Sequence, residues 1–272
     1  MRPLKKIGLI AGSGSLPVKL VARWEADGFT PVIVAFANVT EEPCFSGRIH
    51  DFFSLGEAGK IMRFFREQGV ADLVMIGAMQ RPDFWRLRVD WQGFLIVLHF
   101  IFSTIGDDRL LRVIRRALEK NGFTVRGVHE FLPDLLCPEG VLGKVALAEN
   151  DELSLRAGLA AAKQWSLRDE GQAVIISEGK IIAFEDAYGT NALIDRSCAA
   201  PHRILLKICK AGQDMNLDLP TVGLKTVELA AQKGFSGIAL EAGASLLVDR
   251  VAVAEACDHH GMFLVGVKEG VS

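Results

Sequence analysis

An excess of basic charge is the first thing this 272-residue chain lacks: 31 Lys and Arg stand against 33 Asp and Glu, a net charge of −2. Nucleic-acid binding normally needs a basic stripe, so no nucleic-acid partner is expected. Paired cysteine spacing is missing too. Cys44, Cys137, Cys198, Cys209 and Cys257 are odd in number and widely scattered, which excludes a disulfide scaffold and a Cys-x-x-Cys zinc site and points to a reducing cytoplasm. Nor is there an apolar run of the roughly 20 residues that cross a bilayer. The most apolar segment, residues 94–102 (Phe-Leu-Ile-Val-Leu-His-Phe-Ile-Phe), falls well short, so any membrane contact is expected to be peripheral. The basic start, Met1 to Lys6, runs into an apolar stretch that breaks at Gly12, and no secretion signal is expected. Long internal repeats and low-complexity segments are absent.

The length suits two domains, and an apolar content of 50% is enough for each to bury a core. In the first half, apolar runs alternate with helical patterns. Residues 6–11, 31–36, 51–55, 71–77 and 123–125 read as strands, with amphipathic helices after Pro17, after Gly59 and up to Lys120. Such alternation predicts a parallel, Rossmann-like sheet with its loops at the carboxyl edge. Near Leu135 the pattern loosens into Cys137-Pro138-Glu139-Gly140, a predicted joint. A second α/β domain follows, with a helix at 152–165, a hairpin turning at Glu178-Gly179-Lys180, a strand before Lys207, a strand at 236–240, a last helix capped by Asp249 and a closing strand at 262–267. The expected division is 1–136 and 137–272.

Two stretches concentrate binding chemistry. Gly12-Ser13-Gly14-Ser15 follows the first strand; its glycines let backbone amides approach a ligand closely, Ser15 is placed to cap the helix and Pro17 to occupy its first turn. As a dinucleotide fingerprint it is incomplete. Pro17 stands where the third glycine belongs, and the second strand ends in Ala37-Asn38 without the acidic residue that holds a ribose. A phosphate or sugar contact suits this loop better than NAD.

The second stretch, residues 207–223, carries Lys207, Lys210, Gln213, Asp214, Asn216, Asp218 and Thr221 between an apolar strand and a helix start at Pro220 or Thr221. Carboxylates just before a helix N-terminus suit an anion or a metal-bound phosphate, and equally a solvated, capped loop. Elsewhere, Asp107-Asp108 reads as a helix cap or part of a metal site, His129-Glu130 as a relay or a plain strand end, and His259-His260 as a complement to a helix dipole. Residues 94–102 read as core or as a path for acyl chains. Arg86, Arg88, Arg112, Arg115 and Arg116 read as a solvated face or a contact to an anionic membrane surface.

Together, Leu9 to Pro17, Arg81-Pro82-Asp83-Phe84, Gly106 to Leu111, Gly127-Val128-His129-Glu130, Gly171 to Val174, Gly189-Thr190, Gln213-Asp214, Asp218 to Gly223 and Glu241-Ala242-Gly243 resemble one family over nearly the whole chain. That family is the UDP-2,3-diacylglucosamine pyrophosphatases of the LpxI type, which act in lipid A biosynthesis in Gram-negative bacteria. The resemblance implies a two-domain cytoplasmic enzyme, a homodimer, working on its nucleotide-linked glycolipid at the inner face of the inner membrane. It would use a divalent cation, Mg2+ or Mn2+, to release UMP and 2,3-diacylglucosamine 1-phosphate (lipid X). It implies Asp218 and Asp214 as catalytic carboxylates and Asp218 with Asn191 as metal ligands. Substrate contacts would come from Gly12, Ser13, Gly14, Ser15, Lys207, Lys210, Gln213, Thr190 and Thr221. This chain has Tyr188-Gly189-Thr190-Asn191 where the family usually reads Glu-Gly-Thr-Asp, and Asn216 where arginine is common. The alternative is therefore a homologue that binds a nucleotide sugar or related glycolipid with altered activity; an NAD-linked oxidoreductase rests on the first glycine turn alone.

Overall fold

A computed structural model describes residues 5–79, 107–167, 171–186, 188–210 and 212–268. The motif at residues 81–84, Arg86, Arg88, the apolar segment 94–102 and Gly106 lie outside the described residues, as do the side chains of Asp107 and Asp108. Two compact units emerge: one comprises Met1–Pro133 together with Asp214–Asp218, the other Asp134–Gln213 and Leu219–Ser272.

In the first unit the order is β1 (Lys6–Ala11), α1 (Ser15–Ala26), β2 (Thr30–Ala35), α2 (Glu42–Phe45), β3 (Ile49–Phe52), α3 (Ala58–Glu67), β4 (Asp72–Ile76), α4 (Asp107–Lys120) and β5 (Thr124–Arg126). All strand pairs are parallel, in the order β3-β2-β1-β4-β5. This is the Rossmann strand order, reversing direction between β1 and β4. Helices cover such a sheet on both faces, so its central strands are continuous apolar runs. Val32 and Val34 join a core with Phe65 of α3 and Leu118 of α4. Strand alternation turns Ile33 and its register partner Leu9 to the opposite face. Trp24 of α1 is fully buried and meets Phe131 edge to face at 5.4 Å. The third strand lies at Ile49–Phe52 and not at 51–55, because an edge strand paired only to β2 can expose most of its side chains and gives a weak apolar signal.

The second unit contains β6 (Gly140–Val141), α5 (Glu149–Ser166), β7 (Ala173–Ser177), β8 (Lys180–Phe184), α6 (Gly189–Arg196), β9 (Ile204–Lys207), β10 (Thr221–Val222), α7 (Leu224–Gln232), β11 (Gly237–Glu241), β12 (Leu246–Leu247), α8 (Arg250–His259) and β13 (Phe263–Val267). The large sheet runs β6-β13-β11-β9-β7-β8. Its β13, β11 and β9 are parallel, whereas β6 is antiparallel to β13 and β7 to both β9 and β8. Alternation again divides the apolar residues. Leu155, Leu159 and Trp165 of α5 pack on Val174, Leu206 and Val265, while Leu193 of α6, Val227 of α7 and Val253 of α8 pack on Ile175, Leu205 and Ile238.

Three local expectations change. The predicted joint after Cys137 carries β6, an edge strand of the second sheet; Gly266 is required beside it, since a Cβ there would lie 1.8 Å from the Pro138 carbonyl oxygen. Thr221 does not open a helix but pairs with Leu246 as part of β10, and α7 begins at Leu224 after Gly223. Ser15 is the first residue of α1 and not its cap: Gly14, with φ 99°, holds that position, where a Cβ would be strained. Among the described residues no helix is long and apolar enough to cross a membrane.

Candidate functional site

The apolar β1 delivers Gly12 to the strand-order reversal of the first unit. Its amide donates to the Ile76 carbonyl at 2.9 Å, and Ser13 exchanges two backbone hydrogen bonds with Ala78, both 2.9 Å. Ser13 Oγ also donates to the Ala78 carbonyl, at 3.0 Å. A Cβ on Gly12 would lie 2.5 Å from the Gly77 backbone, and Gly77 itself has φ 105°. The two glycines let the β1 and β4 loops zip together. As a result the amides of Gly12 and Ser13, expected to face a ligand, are spent inside the protein. The Gly14 amide donates to Glu41 Oε1 at 3.2 Å in an exposed bond; exposed bonds of this kind contribute little net energy, so a ligand oxygen can replace this carboxylate.

The segment Asp214–Asp218 belongs to the same unit, with Leu217 buried in the core beside Phe65 and Leu118. Asp214 organises it. One carboxylate oxygen accepts from Arg115 on α4, and the other accepts the Asn216 amide at 3.0 Å. The Asp214 carbonyl accepts from the Leu217 and Asp218 amides at 3.0 and 3.3 Å. A carboxylate engaged on both oxygens anchors its turn, and half-buried Asp218 closes the same turn. Asn216 packs against the Cα of Gly127, where a Cβ would meet its Oδ1 at 2.7 Å and His129 Nδ1 at 2.5 Å. Glu130 accepts the Gly127 amide at 2.9 Å and pairs with Arg126 at 2.5 Å. Its carboxylate holds the turn after β5.

In the second unit, Lys207 ends β9 almost fully buried at 7% exposure, and its Nζ donates to the Thr221 carbonyl at 3.1 Å. The chain beyond it is held by two side chains. Glu241, at the end of the neighbouring β11, accepts the Cys209 amide at 2.8 Å with one oxygen and pairs with Lys163 of α5 at 2.5 Å with the other. Gln213 Oε1 accepts the Lys210 amide at 2.8 Å. Thr190 donates to Glu185, whose second oxygen accepts the Gln172 amide at 2.6 Å. Asn191 is exposed in the first turn of α6, and Tyr188, just before that helix, is 82% exposed. Lys163, Glu185 and Glu241 order these segments and were not among the predicted site residues. Glu241 stood inside a recognised motif, but nothing local revealed its partners.

The predicted residues thus fall into two groups. Gly12, Ser13, Gly14, Ser15, Asp214 and Asp218 belong to the first unit, and Lys207, Lys210, Gln213, Thr190, Asn191 and Thr221 to the second. Thiolate chemistry is unavailable at three of the five cysteines. Burial pushes the Cys44 and Cys137 thiols up to about 11 and the Cys257 thiol up to about 12, so all three stay protonated at neutral pH. Among the described residues no group of three or more His, Cys, Asp and Glu side chains is gathered to hold an ion. Isolated carboxylates fit Mg2+ or Mn2+ held through one or two protein oxygens plus substrate phosphates better than a complete protein cage.

A family model described as the LpxI N-terminal domain matches residues 6–135, and one described as the LpxI C-terminal domain matches residues 138–265. The chain is 35% identical over 275 aligned positions, 97% of its own length and 98% of the relative's, to the UDP-2,3-diacylglucosamine pyrophosphatase LpxI of Caulobacter vibrioides. Similarity to two solved structures is slight. The Bordetella bronchiseptica enzyme WbmG in complex with NAD is 18% identical, covers 45% of this chain and 36% of its own, and has a TM-score of 0.29. The protein gox2253 is 13% identical, with 61% and 47% covered and a TM-score of 0.30. Neither bears on function.

Proposed function

The chain belongs to the LpxI family, whose two domain models it matches in succession, and on that premise we propose that it hydrolyses the pyrophosphate of UDP-2,3-diacylglucosamine to UMP and 2,3-diacylglucosamine 1-phosphate. The observation that carries this reading is the 35% identity extending over 97% of the chain to a relative of that name. Water adds across the P–O–P linkage: its oxygen joins one phosphorus, the bridging oxygen leaves with the other, and the two product phosphates share the released protons.

Such a reaction needs hard oxygen ligands, donors for the developing charge and a positioned water. A divalent cation, Mg2+ or Mn2+, would neutralise the phosphate oxygens when bound. Asp218 is the residue we assign to holding it or to orienting the water. Asn191 offers a neutral oxygen where the family usually has a carboxylate. Asp214, tied to Arg115 and the Asn216 amide, sets the turn from which Asp218 projects. Lys207 and Lys210 would counter phosphate charge, with Gln213, Thr190, Thr221, the Gly14 amide and Ser15 as polar contacts to the nucleotide or sugar, and Gly12 and Ser13 shaping the loop that presents them. The further features proposed are a division into domains near residue 136, a homodimer, and a cytoplasmic location with peripheral contact at the inner membrane where a diacylated substrate resides.

Incubation with UDP-2,3-diacylglucosamine and Mg2+ or Mn2+ is expected to release UMP, and EDTA to stop it. Turnover indifferent to EDTA removes the cation from the proposal. A second reading, binding of a nucleotide sugar without turnover, is favoured by the exposed Tyr188 and Asn191 at the start of α6. Calorimetric binding of the substrate with no UMP released selects it.

A further inference from the structure

Within the second unit a cavity of about 550 Å3 lies between α5 and the sheet edge formed by β6 and β13. Its wall is apolar: Val141, Leu147, Leu155, Leu159, Val265 and Val267. The charged groups at its rim are matched with one another, Lys268 with Glu139 at 3.1 Å and Arg156 with Glu152 at 2.8 Å. A polar ligand would find few partners there, whereas a hydrocarbon needs none. The volume falls in the range of roughly 300–1,000 Å3 that small-molecule sites occupy.

The cavity leads toward the polar groups at the carboxyl edge of the same sheet. Leu155, Leu159 and Lys163 recur every four residues and share one face of α5. The stripe that lines the cavity therefore reaches, about 6 Å further along the helix, the lysine paired with Glu241. The floor follows the same course. Val267, the last residue of β13, is the register partner of Glu241 at the end of β11, and its carbonyl accepts the Ala242 amide at 2.8 Å. Glu241 in turn holds the Cys209 amide in the loop that carries Lys210.

We propose that this cavity receives one fatty-acyl chain of the glycolipid, with the phosphate end of the molecule toward the loop that carries Lys210. The inference rests on the function proposed above and adds the place in the second unit where chain length is sensed. No covalent step is involved; burial of methylene groups supplies the affinity.

Ala160 lines the cavity and is exposed, so Ala160→Trp fills it without disturbing the core. UMP release is measured from the long-chain diacyl substrate and from an analogue with acetyl groups, for wild type and variant, alongside sedimentation and calorimetric binding of myristate. The expected result is a loss of about tenfold in kcat/KM on the long-chain substrate, an unchanged rate on the acetyl analogue, and weakened myristate binding. Equal effects on both substrates overturn the inference. A changed oligomeric state with an unchanged long-to-short ratio also overturns it, assigning the cavity to a second copy of the chain. If wild type hydrolyses neither substrate, the function above fails separately, and myristate binding then judges the cavity: binding that Ala160→Trp abolishes supports it, and no binding refutes it.

Discussion

Arg115 on α4 holds Asp214 across 99 positions of sequence, and the same carboxylate folds back to accept the Asn216 amide at 3.0 Å. A residue expected to share the chemistry also fastens the turn that carries Asp218. Both partners retain about a quarter of their side-chain exposure, so the pair is neither a screened surface contact nor a fully desolvated one.

Asp214→Ala is expected to lower stability by about 1–3 kcal/mol, because it leaves the Asn216 amide without its acceptor and takes from the half-buried Arg115 guanidinium one of two carboxylates, Glu119 at 2.6 Å being the other. Arg115→Met should cost less, and the double variant should fall short of the sum of the two. Urea unfolding of the four proteins measures this. Additive losses would mean that the two side chains do not act on each other.

The zip between the first two loops of the Rossmann-like sheet depends on Gly12 and Gly77. Gly12→Ala forces a Cβ to within 2.5 Å of backbone, and overpacking of this kind costs about 1–3 kcal/mol. Thermal unfolding should show Gly12→Ala well below wild type. A variant with unaltered melting would show that the loops do not pack so closely.

The Rossmann-like half was legible because buried parallel strands are continuous apolar runs, as at Ile7 to Ala11 and Leu73 to Ile76. The two-residue strand at Gly140–Val141 was not, since nothing local distinguishes it from a joint. Thr221–Val222 was read as a helix start because Pro220 and Thr221 carry helix-opening chemistry, while its pairing with Leu246–Leu247 is set by residues far along the chain. At the candidate site the residue types were visible but their partners were not. Asp214 finds Arg115, and Glu241 finds Lys163 and the Cys209 amide, only once the chain has folded. The glycine loop's amides looked available for a ligand because their use by β4 and Ala78 is likewise a long-range event.

Glu241 serves two partners, and two substitutions separate them. Glu241→Gln keeps an acceptor for the Cys209 amide but gives up the ion pair with Lys163, whereas Glu241→Ala loses both. UMP release should fall modestly in the first and by about tenfold or more in the second, if loop order sets the rate. Equal activity in the two variants would show that ordering of the loop by Glu241 does not matter.

The buried thiols give a pH dependence with a definite sign. Burial raises Cys44 and Cys137 from 9.0 to about 11 and Cys257 to about 12. In the unfolded chain these thiols ionise near 9, while in the folded protein they hold their protons. Above pH 9 the folded state therefore binds more protons, and stability falls as pH rises through the interval up to about 11. Denaturant midpoints between pH 8 and 10.5 should decline, and replacing Cys44 and Cys137 by Ala should flatten the slope. A slope untouched by the replacements would place the alkaline sensitivity in other groups.

The most direct test of the proposed activity is UMP release from UDP-2,3-diacylglucosamine by wild type and by Asp218→Ala in the presence of Mg2+ or Mn2+, with circular dichroism confirming that both are folded. The account predicts turnover by wild type and a loss of at least about a thousandfold in the variant. Near-normal release by folded Asp218→Ala, or none by wild type, would contradict it.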